Sequence, residues 1–164
     1  MPAVAQGFIY GRTNVALADT FKQEKLVVIK QLPQKINAVF SSPSSRCTLL
    51  ASAISKNVLT DENLYELNFG EWEGKTWETI NREESNYWME DFVNRSPPGG
   101  ETMQQMYNRV INFWDKVICL NYQSVVIVTH AGVIRLICAE VNAIELQVAM
   151  SLKVDYGKVI KITT

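Results

Sequence analysis

Histidine is nearly absent from this chain: one residue, His130, in 164. Any imidazole chemistry done by these residues therefore falls on a single side chain. Cysteine is scarce too, and Cys47, Cys119 and Cys138 are widely spaced without a C-x-x-C pair. That argues against both a disulfide framework and a zinc site, and the three read as buried thiols in a reducing cytoplasm. Charge of either sign is not in excess, with 16 Lys and Arg against 17 Asp and Glu for a net charge of -1. Such a balance leaves no basic footprint for nucleic acid. No apolar run reaches the roughly 20 residues of a membrane helix, because Lys, Arg, His or Glu interrupts each one. The start, MPAVAQG, lacks the charged region, long apolar region and cleavage site of a secretory signal. There is no internal repeat, no low-complexity tract and no constellation of metal ligands, and nothing calls for a cofactor.

What is present is ordinary globular material, 47% hydrophobic and 20% charged, at a length that fits one domain over residues 1 to 164. The most informative stretch is SVVIVTHAGVIRLICAEV, residues 124 to 141. Val125 to Val128 is a continuous β-branched run of the kind buried on both faces in a parallel sheet. Ala131 and Gly132 allow a tight turn, and Val133, Leu136, Ile137 and Glu140 then recur at helical spacing. His130 is thus expected at the carboxyl end of a strand, beside a helix amino terminus, where open α/β sheets bind ligands and where exposed amides favour an anion. A histidine that merely hydrogen-bonds the turn fits the same pattern.

Elsewhere, residues 1 to 19 read as loop. A helix is expected from a cap at Asp19 or Thr20 to about Leu32, and a short strand from Ile36 to Phe40. Pro43 and the serines around it open a helix from Arg46 to Ile54, with Leu49, Leu50, Ala53 and Ile54 facing the core. Arg46 then lies in that helix's first turn, just past a strand end; a surface arginine is the simpler reading. Val58 and Leu59 form a further short strand. The segment from Asn63 to Gly74 mixes carboxylates, aromatics and glycines, as a surface turn with an aromatic plug does. It also fits a cleft-edge loop in which one carboxylate, its pKa raised by burial, serves as general acid. The pattern is helical from Thr76 to Asn94, breaks at Ser96 to Gly100, and resumes as a long helix from Thr102 to about Leu120. A short helix from Ile144 to Met150 and a hairpin pairing Leu152 to Asp155 with Val159 to Ile162 complete the chain.

Four segments together resemble the histidine phosphatase superfamily, the phosphoglycerate-mutase-like α/β proteins. They are SSPSSRC at 41 to 47, LYELNFGEWEG at 64 to 74, PPGGET at 97 to 102 and VIVTHAGVIR at 127 to 135. Within that superfamily, YGRTNVALADTF at 10 to 21 and VDYGKVIKI at 154 to 162 are most similar to bacterial α-ribazole-5'-phosphate phosphatases of cobalamin assembly. The resemblance implies a three-layer α/β/α fold with a mostly parallel sheet, and a small phosphomonoester as the partner, handled without metal or cofactor. It implies that Arg46 binds the phosphoryl group, that Glu66 protonates the leaving oxygen, and that His130 is the second histidine of the phosphate pocket; Arg12 is a further phosphate contact. Relatives open with a central strand ending in Arg-His-Gly or Arg-His-Thr, whose histidine is phosphorylated. MPAVAQG resembles the residues just after that motif, so the expectation is an amino-terminally truncated domain, inactive on its own for want of the nucleophile. A degenerate relative that binds a phosphorylated ligand without turnover is the alternative.

Overall fold

The computed structural model describes residues 2–3 and 7–163. Its centre is a three-stranded parallel sheet of order β2-β1-β3, formed by β1 (Ala38–Ser41), β2 (Val58–Thr60) and β3 (Val125–Val128). Parallel neighbours need crossovers, and these are helical: α2 (Ser45–Ile54) links β1 to β2, while α3 (Arg82–Glu90) and α4 (Met103–Ile118) lie between β2 and β3. α1 (Phe21–Ile29) precedes the sheet, and α5 (Ala131–Asn142) and α6 (Leu146–Ala149) follow it.

Strand alternation separates two cores. Val39, Val126 and Val128 face α2 and pack with Cys47 and Ala51. On the opposite face, Phe40, Val125 and Ile127 pack against the larger cluster of α4 and α5, with Met106, Val110, Phe113, Val133 and Leu136 at its centre. The result is the α/β/α layering expected from the sequence. α4 is the firmest helical support, because Thr102 and Gln105 form a reciprocal capping box at its start. Its buried stripe of Met103, Met106, Val110, Phe113 and Val117 follows the 3.6-residue period.

Several expectations change in detail. In α2 the buried positions are Cys47 and Ala51, whereas Leu49 is 53% exposed and Ala53 also faces outward. The face is set by contact with Val39 and Val126, and small side chains fit that approach to the sheet. α1 ends at Ile29 rather than Leu32. Helix covers only Arg82–Glu90 of the aromatic stretch, since Thr79 Oγ1 turns back to the Thr76 carbonyl and Asn81 caps a fresh start through the Glu83 and Glu84 amides. The closing hairpin does not form: Arg135 Nε donates to the Leu152 carbonyl at 2.8 Å, while Ile162 packs on the α4/α5 core, so the two arms serve different partners. The cysteines are free, but only Cys47 is buried; Cys119 is exposed and Cys138 intermediate. Part of the amino-terminal loop assignment, at Met1 and residues 4 to 6, falls outside the described residues.

Candidate active site

The register Ser41↔Val128 aligns the carboxyl ends of β1 and β3, so the turns that follow them sit side by side. The Ser42 amide extends the ladder by donating to the Val128 carbonyl at 2.9 Å. Ser41, Ser42 and Ser44 are at most 1% exposed, and Ser44 N-caps α2. The Ser44 hydroxyl makes no capping bond to the helix amides; Asn14 accepts from the Ser45 amide at 2.9 Å and from its hydroxyl at 3.0 Å instead. Within the first turn, Arg46 reaches the residue that follows β3, His130.

His130 is the N-cap of α5 and is 7% exposed. Arg46 Nε donates to His130 Nδ1 at 3.3 Å. A guanidinium has no acceptor, so Nδ1 carries the lone pair and Nε2 the proton, which it donates to Ser42 Oγ at 2.8 Å. Burial, then the charges of Arg46 and Arg109, push the His130 pKa down to about 3. The site therefore holds a neutral imidazole beside the Arg46 guanidinium. Cys47 Sγ lies 3.7 Å from Nε2, and burial pushes this thiol up to about 12, so it stays protonated.

Glu66 arrives from the loop after the 3-10 turn Glu62–Leu64. Its Oε1 accepts from the Leu67 amide at 3.0 Å and its Oε2 from the Gly132 amide at 3.1 Å. The carboxylate thus satisfies an orphan donor at the start of α5 and lies at the positive end of that helix. Only glycine permits the approach, because a Cβ on residue 132 would stand 2.1 Å from Glu66 Oε1.

Arg46, Glu66 and His130 line one cavity of about 1600 Å³, which continues along β3 to the segment from Val159 to Thr163. Arg12 enters differently. Its guanidinium pairs with Glu101 at 3.2 Å and lies over the Tyr65 ring, while its backbone loop reaches the site. Arg46 donates to the carbonyls of Gly11 at 2.6 Å and Thr13 at 2.9 Å, and the Arg46 guanidinium rests on the Tyr10 ring. From the other side Glu73 accepts from the amides of Arg12 and Thr13. Residues 11 to 13 are clamped between an arginine and a glutamate, which the sequence did not announce. Nor did it single out Arg109 and Glu101, although Glu101 stands in the PPGGET segment.

Phe69, Trp77, Trp88 and Phe92 also line the cavity. Trp77 and Trp88 stack with centroids 5.9 Å apart, and Trp72 meets Trp88 edge-on at 5.7 Å. This cluster is held by two interlocking turns. The Glu71 amide donates to the Pro98 carbonyl, the Glu101 amide donates to the Asn68 carbonyl, and Gly70 (φ 54°) has the Pro98 oxygen 2.1 Å from where its Cβ would be. Among the described residues no group of three or more His, Cys, Asp or Glu is placed to hold a metal ion, and no helix is long and apolar enough to cross a membrane.

A parallel α/β sheet with an arginine and a histidine meeting at its carboxyl edge, beside a helix start, has the layout with which open α/β proteins bind anionic ligands. The chain belongs to the histidine phosphatase superfamily (branch 1), whose family model matches residues 2–164, and it is a phosphatase by that membership. A Hydrogenobacter thermophilus protein provisionally named phosphoserine phosphatase 2 is 28% identical over 165 residues, 96% of this chain and 81% of that protein. The adenosylcobalamin/alpha-ribazole phosphatase of Escherichia coli is 30% identical over 98 residues, 57% of this chain and 48% of its own length. Among solved structures, the alpha-ribazole phosphatase of Shigella flexneri superimposes with a TM-score of 0.84 at 23% identity, over 92% of this chain and 79% of that one, which shows the shared fold.

Proposed function

We propose that this protein hydrolyses small phosphomonoesters through a phosphohistidine, with α-ribazole 5'-phosphate of cobalamin assembly as its substrate. The observation that carries the reading is the Arg46 Nε to His130 Nδ1 contact of 3.3 Å at adjacent strand ends, with Glu66 on the neighbouring helix start. In this reading Arg46 and His130 hold the phosphoryl oxygens, through the two terminal arginine N–H groups not spent on the Gly11 and Thr13 carbonyls and through the imidazole Nε2–H once it turns from Ser42 Oγ to the phosphoryl group. Arg12 adds charge from the flanking loop. A histidine nitrogen forms the N–P bond as the ester P–O bond breaks, and Glu66 gives its proton to the leaving oxygen. Water then attacks phosphorus as the N–P bond breaks and its electron pair returns to the histidine nitrogen, Glu66 recovers a proton from that water, and orthophosphate leaves. The stacked Trp77 and Trp88 support an aromatic leaving group, as does the likeness to alpha-ribazole phosphatases. The reading places the enzyme in the cytoplasm.

A second reading, binding of a phosphate ester without turnover, is favoured by one observation. Residues 1 to 164 contain a single histidine, and His130 is already committed to Arg46 and Ser42. Both readings meet in one comparison of these 164 residues with a chain extended upstream of Met1 by its reading frame. The extended chain is expected to trap acid-labile phosphohistidine and to turn over α-ribazole 5'-phosphate with a better kcat/KM than phosphoserine or 3-phosphoglycerate. The 164 residues alone are expected to bind orthovanadate and trap nothing. Preference for phosphoserine would sink the substrate assignment, and phosphate trapped on His130 would sink the roles. Within the extended chain, Glu66→Gln should slow esters with poor leaving groups most; equal slowing for all esters would remove Glu66 as the acid.

A further inference from the structure

Arg109 is half-buried in the middle of α4 and takes no part in the catalytic roles above, yet each of its guanidinium N–H groups has a partner. Nε donates to Glu101 Oε2 at 3.0 Å, and one terminal nitrogen donates to the carbonyls of Asn63 and Tyr65, both at 2.7 Å. The other donates to the Glu66 carbonyl at 3.1 Å and to Glu101 Oε1 at 2.7 Å. These five bonds exhaust the donors of an arginine. Three of the acceptors belong to the loop that delivers Glu66. The base is rigid, because α4 is locked by its capping box, by its buried stripe and by packing on α5.

Glu101 completes the clamp. Its carboxylate accepts from Arg109, Arg12 and the Asn68 amide, and the arginine bonds hold its pKa below the usual carboxylate range despite burial. One charge pair therefore ties the two ends of the segment from Asn63 to Asn68 to the same helix. The Glu66 backbone is fixed by α4 while its carboxylate is fixed by the Gly132 amide of α5.

We infer that Arg109, with Glu101 as its counter-ion, is a positioning residue that sets where the Glu66 carboxylate stands in the cavity. Its relevance to catalysis rests on Glu66 being the acid, but the positioning itself does not. Lysine cannot replace it, since an ammonium has three donors on a flexible stem in place of a planar fork reaching four acceptor groups at once.

The test is amide hydrogen exchange on residues 1 to 164. Arg109→Lys should cut protection at the Leu67 and Gly132 amides, the two that Glu66 holds, at least tenfold more than at the amides of β1 and β3. Thr102→Ala, which weakens the same helix through its cap, should raise exchange without singling out those two positions. Should Arg109→Lys fail to fold, Glu101→Gln keeps the arginine and weakens the clamp, and the same two amides should open by a smaller factor. Uniform loss of protection in the clamp variants, matching Thr102→Ala, would reduce Arg109 to a structural role and overturn the inference, as would no change at Leu67 and Gly132. These outcomes are independent of the leaving-group comparison for Glu66→Gln, so either idea can fall without the other.

Discussion

Replacing Gly132 by alanine separates the stability of α5 from the placement of Glu66. The new Cβ would stand 2.1 Å from Glu66 Oε1, 3.0 Å from its Cδ and 3.1 Å from Met106 Cε. Residue 132 is helical, so alanine brings no backbone strain and a propensity gain of about 1 kcal/mol over glycine. The nearest clash is with the end of a flexible side chain, and swinging the carboxylate aside relieves it. What is lost is a charge-assisted hydrogen bond of about 1.5–3 kcal/mol and an anion at a helix start worth about 0.3–1 kcal/mol. The net cost is about 1–3 kcal/mol, which for a chain of this size lowers Tm by roughly 2–12 °C. Thermal melting followed by circular dichroism gives the number, and a crystal structure gives the position of Glu66. A variant that melts higher than the parent by the propensity gain, with Glu66 still on the residue-132 amide, would refute the reasoning.

His130, with a pKa pushed down to about 3 against about 6.5 unfolded, takes up its proton first in the unfolded chain, so the fold loses stability as pH drops below about 6.5 and this loss ends near 3. Melts across that window should show His130→Gln losing less stability than the parent, by up to about 1.4 kcal/mol per pH unit; identical pH profiles would mean the imidazole is not held neutral. Arg46→Ala removes the cation at the strand ends and the clamp on the Gly11 and Thr13 carbonyls. Calorimetric titration with orthovanadate should show binding weakened about ten- to a hundredfold, and an unchanged Kd would place the anion elsewhere. Trp77→Ala opens one side of the stacked pair, so in the extended chain it should raise KM for α-ribazole 5'-phosphate more than for phosphoserine. Equal effects on both esters would make the tryptophans core alone.

The strand at Val125–Val128 and the helix after it were legible because a β-branched run, two small residues and a 3.6-residue stripe agree on one answer. α4 was legible for the same reason. That Arg46 meets His130 was legible only through the family resemblance, because an arginine just past a strand end reads by itself as surface, and the partners that orient the pair were not legible at all, since Ser42, Glu73 and the Gly11 carbonyl are local polar groups with no period. Arg109 was hidden by its setting: an arginine on an amphipathic helix reads as surface, and only the backbone carbonyls of a distant loop give it work. The aromatic stretch misled, because side chains gathered around Trp88 from a turn and a short helix repeat much as one long helix would. The carboxyl-terminal hairpin failed because alternation says which faces are apolar and not which neighbour covers them.

The interlocked turns at Asn68–Glu71 and Pro97–Glu101 set a limit on how this protein can be re-engineered. Their backbones pass so closely, with the Pro98 oxygen 2.1 Å from the Gly70 Cβ position and the Asn68 oxygen 2.5 Å from that of Gly100, that neither can be lengthened by itself. The same few residues contain Asn68 and Glu101, through which a misfit would pass to Arg109 and then to the loop of Glu66. Grafting a longer loop here would loosen Glu66 along with the turns themselves. Trp77 meets these turns through ring packing, edge-on to Phe69 with centroids 6.4 Å apart, rather than through backbone bonds, so redesign of what the cavity admits belongs there.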